Sequence, residues 1–409
     1  MSKSIKFQLM RSIKSGKNRL LLIGFLVYIV GFCFFLNYKE KIYDESQKNI
    51  LQYELQEYGP MVKIKSSEIN GMDESAEGYD KLKLENEFYQ SQYNSSMLVN
   101  NIIDRRLNGI DEVPKDNFDF IKAEKIKYVG IKESYARGVI DDKYLEERGL
   151  SLDKVDRQLN YINYLLENEI PGVINPYTLN GVNFIRNFFT GSNIIVILIF
   201  ILLFLIDSYV IELRDDCYKT IYTSPLKRTK LLLSKIVSSY ILTLLIVFIG
   251  ILLGFLLVSL IFGLGQLSSP VQVNEGVNGL NLIVKNISQE YLPLSTVTVI
   301  NFISFIVFLL FIVVLSISLS VYTSNDILSL GVMISLMIVT YCIHSIDSFI
   351  NINRLFNPFS YIFFEDLSKY ELMTTNFYGV IMQLTLSVLI LGLTTLRFKK
   401  KDLFGIKGE

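Results

Sequence analysis

Six long apolar runs decide what this chain can be. The first, LLLIGFLVYIVGFCFFL at 20–36, contains no charged residue. At 1.5 Å per residue, a helix of that length crosses most of a hydrocarbon core of about 30 Å, and flanking side chains complete the span. Comparable runs occupy 194–211, about 236–262, about 297–321, 327–346 and 377–396. A soluble core would spread its apolar residues more evenly, so the expected fold is a polytopic α-helical membrane protein with six transmembrane helices. The first run exceeds the usual apolar length of a signal peptide, and no small-x-small cleavage site follows it, so it is read as a retained anchor. The third is longer than one perpendicular crossing needs, which leaves a tilt or a break at Gly250 or Gly254.

Sidedness follows from charge. Lys3, Lys6, Arg11, Lys14, Lys17 and Arg19 precede the first run with no acidic residue among them. The connection between the second and third runs carries Arg214, Lys219, Lys227, Arg228, Lys230 and Lys235, and the tail after the last run carries Arg397, Lys399, Lys400 and Lys401. The connection at 263–296 has only Lys285, against Glu275 and Glu290. Positive-inside sorting therefore puts both termini and the 212–235 loop in the cytoplasm of a multi-pass membrane protein. The divisions are a cytoplasmic segment at 1–19, the first span at 20–36, an extracellular domain at 37–193, a five-helix region at 194–396 and a tail at 397–409. The short turn YTSND around Asp326 makes the fourth and fifth runs an antiparallel hairpin. Between the last two runs, Asn357-Pro358 and the aromatic run Tyr361-Ile362-Phe363-Phe364 suit an interfacial segment on the outer leaflet, though an ordinary loop fits equally.

The large polar segment holds 20 Lys/Arg against 27 Asp/Glu and no cysteine, since the three cysteines are Cys33, Cys217 and Cys342. It therefore folds without disulfides. Strong helix formers fill 43–58, 79–107 and 141–168, and in the last Leu145, Leu150, Leu152, Val155, Leu159, Ile162 and Leu166 recur mostly at helical spacing. A large, mostly helical extracellular domain is expected, as extended arms or as a compact bundle. Its acid excess suits attraction of a cationic extracellular peptide, or simple solubility.

No G-x-x-x-x-G-K-[ST] phosphate loop, C-x-x-C or H-E-x-x-H occurs, so the chain is read as carrying no ATPase, catalytic or metal site. Two ionisable residues sit at the ends of runs. Asp207 closes IIVILIFILLFLI, where it either meets the headgroups or bonds another helix; His344, the single histidine, lies one turn before Asp347. Both are candidate intramembrane polar contacts.

The polar interruption RDDCYKTIYTSPLKR at 214–228 leads straight into TKLLLSK. Together with Glu212, Ser224-Pro225-Leu226, Arg228 and Ser234-Lys235, it resembles the first cytoplasmic loop of the ABC-2 type permeases. The six-run layout, the N-terminal QLMRSIKSGKNR and the C-terminal LRFKKKDLF are similar to that family too. The resemblance covers the transmembrane frame and leaves the external domain uncovered. Family members commonly place a glycine after the loop's acidic residue, whereas Cys217, Tyr218, Lys219 and Thr220 stand here.

The resemblance implies a permease subunit of an ATP-driven exporter, with ATP and Mg bound by separate cytoplasmic ABC ATPase subunits and a second permease chain completing a homodimer or heterodimer. Membrane lipids surround it, and nucleic acid is not among its partners. The expected ATPase coupling interface is Glu212, Asp215, Tyr218, Ile221, Tyr222, Pro225, Arg228 and Lys235. Tyr218, Ile221 and Tyr222 would form the apolar side of a short helix that Ser224-Pro225 ends. The implied cargo is a peptide, a lipid-like molecule or another hydrophobic substrate. A nonenzymatic scaffold or secretion component, and a sensor of extracellular peptides, are the competing readings.

Overall fold

The computed structural model describes residues 2–109, 113–172, 175–189, 191–205, 227–275, 288–323, 325–344, 357–362 and 372–400. It divides into two compact units: Met1–Cys33 with Asn180–Leu267 and Val271–Glu409, and Phe34–Leu179 with Ser268–Pro270.

In the first unit α1 (Ser2–Lys14) precedes α2 (Gly16–Asn70), which does not stop where its apolar run stops at Leu36. Nothing in YKEKIYDESQKNILQ breaks a helix, so the anchor continues into polar sequence as one helix. Then come α7 (Gly181–Phe188), α8 (Gly191–Leu205), α9 (Arg228–Phe262), α10 (Leu294–Thr323), α11 (Asp326–His344) and α12 (Leu372–Lys400). By length and composition, α2, α9, α10 and α12 can each cross a membrane. The second expected span is a bent pair, since α7 meets α8 at 68°, and the fifth is the shorter apolar stretch Ile327–Ile343 of α11. The described helices thus supply four full-length crossings, or five with the bent pair. Between α9 and α10, where only a loop was expected, β1 (Pro270–Glu275) and β2 (Ser288–Pro293) pair as a two-stranded sheet.

Glycines set the packing of α9. The helix passes through Gly250 and Gly254 unbroken, and a Cβ at Gly254 would lie 2.0 Å from the Phe184 ring, one at Gly250 2.5 Å from the Phe25 ring. The glycines are notches that admit rings from α7 and α2, not breaks. Gly263, at φ +85°, ends the helix in a conformation that disfavours other residues. The chain after it pairs with the start of α7, through Gly181 N–H to the Gly263 carbonyl and Val182 N–H to the Leu264 carbonyl, both at 3.0 Å.

The α10–α11 hairpin forms as expected. Asn325 Oδ1 accepts from the Ile327 and Leu328 amides at 3.0 and 3.2 Å, capping α11, and Ser320 Oγ donates to Ser329 Oγ at 3.2 Å across the pair. In the described part of the Asn357 segment, two aromatic side chains turn into protein. Phe359 is buried against Phe308 and Phe311 of α10, and Tyr361 is buried where Gly379 of α12 leaves room for its ring. Asn357 Nδ2 donates to Thr340 Oγ1 at 3.0 Å, and Gln383 Nε2 to the Pro358 carbonyl at 3.0 Å. Neighbouring helices thus satisfy polar groups of the turn around these two buried aromatics.

The second unit is a helical bundle rather than extended arms. It contains the later part of α2, α3 (Tyr79–Leu107), α4 (Val113–Ala136), α5 (Asp142–Glu147) and α6 (Leu152–Glu167). Asp141 and Ser151 cap α5 and α6, their side chains accepting from Tyr144 N–H and Lys154 N–H. α4 packs against both α3 and α6. One core gathers Phe88, Ile131, Leu145, Val155 and Leu159; a second, Leu51, Val99, Ile103 and Ala123. Several charged and polar groups within the bundle are paired. Arg106 reaches Glu40 at 3.1 Å and Asp44 at 3.3 Å, while Asn175 Nδ2 donates to the Glu40 carbonyl and to Asp44 Oδ1, each at 2.9 Å. Arg148 bonds Glu57 at 2.6 Å and lies over the rings of Tyr58 and Tyr144.

Candidate functional site at the polar end of α9

The first turns of α9 carry the described part of the sequence-derived coupling region. Lys227 precedes the helix in extended conformation, its carbonyl accepting from Lys230 and Leu231 N–H at 2.9 and 3.2 Å. Leu231, Leu232, Ser234, Lys235, Ile236, Ser238 and Ser239 then turn inward. Ser234 and Ser238 hydroxyls bond back to the Leu231 and Lys235 carbonyls at 2.8 and 2.9 Å, so these small polar residues are satisfied within their own helix.

α1 lies along this stretch. Ser4 Oγ and Ser234 Oγ are 3.0 Å apart, and Ser238 Oγ donates to Gln8 Oε1 at 2.8 Å. The corner between α1 and α2 is held by side chains from the first turn of α2. Asn18 Nδ2 donates to the Ser12 carbonyl at 2.9 Å and Arg19 Nε to the Ile13 carbonyl at 3.3 Å, satisfying two carbonyls that the end of α1 leaves open. The sequence reading treated 1–19 as a cytoplasmic lead-in and missed this packing. Its signal was present in FQLMRSIK, whose apolar residues recur at helical spacing.

Of the expected interface residues, Arg228 opens α9 partly exposed, whereas Lys235 is only 3 % exposed. Neither is without a partner within the chain. Lys235 is therefore not on the surface of the described chain. Glu212, Asp215, Tyr218, Ile221, Tyr222 and Pro225, and also Asp207, lie outside the described residues. His344 is the last residue of α11. Lys235 and Arg228 are thus placed on one helix whose base α1 braces.

These helices define a multi-pass helical membrane protein with a polar, helix-braced entry to α9, one of the helices long and apolar enough to cross a membrane. A family model described as "ABC-2 family transporter protein" matches residues 10–403. The chain belongs to that family: it is a membrane permease component of an ABC transporter and associates with an ATPase subunit. The match runs through the Phe34–Leu179 unit as well, which the sequence resemblance had left uncovered. Neither the curated proteins nor the solved structures returned a match.

Proposed function

We infer that this permease is an exporter subunit, moving a peptide, a lipid-like molecule or another hydrophobic substrate outward across a bacterial plasma membrane. The family match over nearly the whole chain is the observation that carries the reading. Six crossings with both termini cytoplasmic are supported by the basic residues before the first run, in the 212–235 loop and in the tail. The Phe34–Leu179 unit then lies outside the cell. The chain contributes no catalysis: ATP and Mg are bound by partner ATPase subunits, and a second permease chain completes the path.

The coupling interface is the loop bearing Glu212, Asp215, Tyr218, Ile221, Tyr222, Pro225 and Arg228, together with Lys235 in the helix that follows. ATP-driven closure of the ATPase subunits pushes on this loop. The load passes to α9, whose 35 residues form one helix without proline. Apolar loop side chains fill a groove on the ATPase, and Arg228 adds charge recognition at the rim.

The test is co-purification with a candidate ABC ATPase subunit, followed by ATP-dependent flux in proteoliposomes. Tyr222→Ala and Arg228→Glu are expected to lower stimulated ATPase activity and flux, roughly tenfold or more for Tyr222 if it anchors the contact. Unchanged association, ATPase stimulation and flux in both variants would remove the loop from the mechanism.

A further inference from the structure

We propose that the Phe34–Leu179 unit holds a basic side chain of a cationic peptide, in a cleft between α3 and α4. The cleft has a volume of about 240 Å³. That falls short of the roughly 300–1,000 Å³ of pockets that enclose a small molecule, so it suits single side chains of a longer ligand. Leu84 and Phe88 of α3, with Ile126 and Val129 of α4, supply apolar wall. Gly130 sets how closely the two helices cross there, since a Cβ would stand 2.2 Å from Ser91 Oγ.

Three charged side chains line the cleft, Glu87, Glu133 and Arg137, each about half exposed. Arg137 stands 3.6 Å from Glu87 and 4.0 Å from Glu133, too far for a hydrogen bond to either. The two carboxylates thus outnumber the one cation and keep room to accept further donors. Ser134 lines the cleft as well. It is only 6 % exposed, and its hydroxyl has no hydrogen-bond partner among the described residues. A buried hydroxyl left without a partner carries a cost that a bound donor relieves. Together these groups select the ligand. The carboxylates repel an anion, and a bare metal ion gains nothing from apolar walls. An alkyl stem ending in an ammonium or guanidinium uses every part: the walls take the stem, the carboxylates the charge, and Ser134 Oγ one N–H. The surrounding sequence acts in the same direction, because 37–193 holds 20 Lys/Arg against 27 Asp/Glu and so favours encounter with a polycation. The proposal rests on the reading that places this unit outside the cell, and it assigns a binding step without fixing the cargo.

Full-length chain in an uncharged detergent would be titrated against fluorescein-labelled hexalysine, read by fluorescence anisotropy in about 0.15 M salt, which screens distant charges. Glu87→Gln combined with Glu133→Gln is expected to weaken binding roughly tenfold, and Ser134→Ala roughly threefold. Arg137→Gln removes the competing cation and is expected to strengthen binding roughly threefold, a gain that loss of folding cannot imitate. Glu45→Gln combined with Glu146→Gln makes the same change of charge on exposed residues outside the cleft, and should leave affinity within about twofold. Equal weakening by the two glutamate pairs, or unchanged binding in the first, would overturn the cleft as the site. Displacement of hexalysine by n-butylamine at matched amine concentration would assign the cleft to free amines and overturn the peptide. Sidedness is read separately. Glu146→Cys, with Cys33, Cys217 and Cys342 replaced, is expected to react with a membrane-impermeant maleimide on intact cells. Cleft-dependent binding without that labelling would overturn the external placement alone, and labelling without binding would overturn the proposal alone.

Discussion

Glu124 shows how one carboxylate inside a bundle becomes a liability at neutral pH. Lys127 sits 2.8 Å from Glu54, and Glu54 also accepts from Ser96 at 2.6 Å, so the lysine is already engaged. Burial pushes the Glu124 acid up from its ordinary range, the Glu54 charge adds to the rise, and Lys127 opposes it without winning. A folded-state value raised above the unfolded one favours folding fully at low pH and is lost as pH rises, since the folded carboxylate must ionise at a cost the unfolded chain escapes. Glu124→Gln is therefore expected to raise the melting temperature at pH 7. The gain should shrink as pH falls through the unfolded glutamate value near about 4.3, which thermal denaturation of the detergent-solubilised chain at a series of pH values would check. Arg106 is the opposite case, being a cation shared by the buried Asp44 and the half-buried Glu40. Arg106→Met should cost about 3 kcal/mol by leaving Glu40 and Asp44 without it, a loss that denaturant titration would register. None of these partners is legible from sequence, because they come from α2, α3 and α4, far apart in the chain.

Helices divide by how far their own pattern betrays them. α3 occupies Tyr79–Leu107, the stretch that the sequence marks by its helix formers, and the periodic residues Leu145, Val155, Leu159 and Ile162 are buried. α4 was not singled out. It packs on two sides, against α3 and α6, so its apolar residues surround the helix instead of forming one stripe. α9 was expected to tilt or break at its glycines, but local sequence cannot say that an aromatic ring will enter a notch. Gly254→Ala should destabilise the membrane unit by about 1–3 kcal/mol through collision with Phe184, whereas Gly392→Ala, with open space around it, should be neutral or slightly stabilising. Comparing the two variants by thermal aggregation in one detergent would separate a steric effect from a general glycine effect.

At the scale of the whole chain, Phe34–Leu179 closes its own cores and its own ion pairs. Expressed alone, this unit is expected to be helical by circular dichroism and to melt in one cooperative transition; a broad, non-cooperative melt would show that it relies on the remainder. The sequence by itself determined that this is a membrane protein, where its apolar helices fall and that its family is that of ABC-2 permeases. Those properties reside in contiguous runs, whose length and charge can be measured against a bilayer without knowing any contact. Only the tertiary structure decided that the α9 glycines receive rings, that Tyr361 turns into protein and that Lys235 is buried beside a base braced by α1. Each of these depends on a second segment arriving from elsewhere in the chain, and its energy is set by the close packing and polar pairing made there.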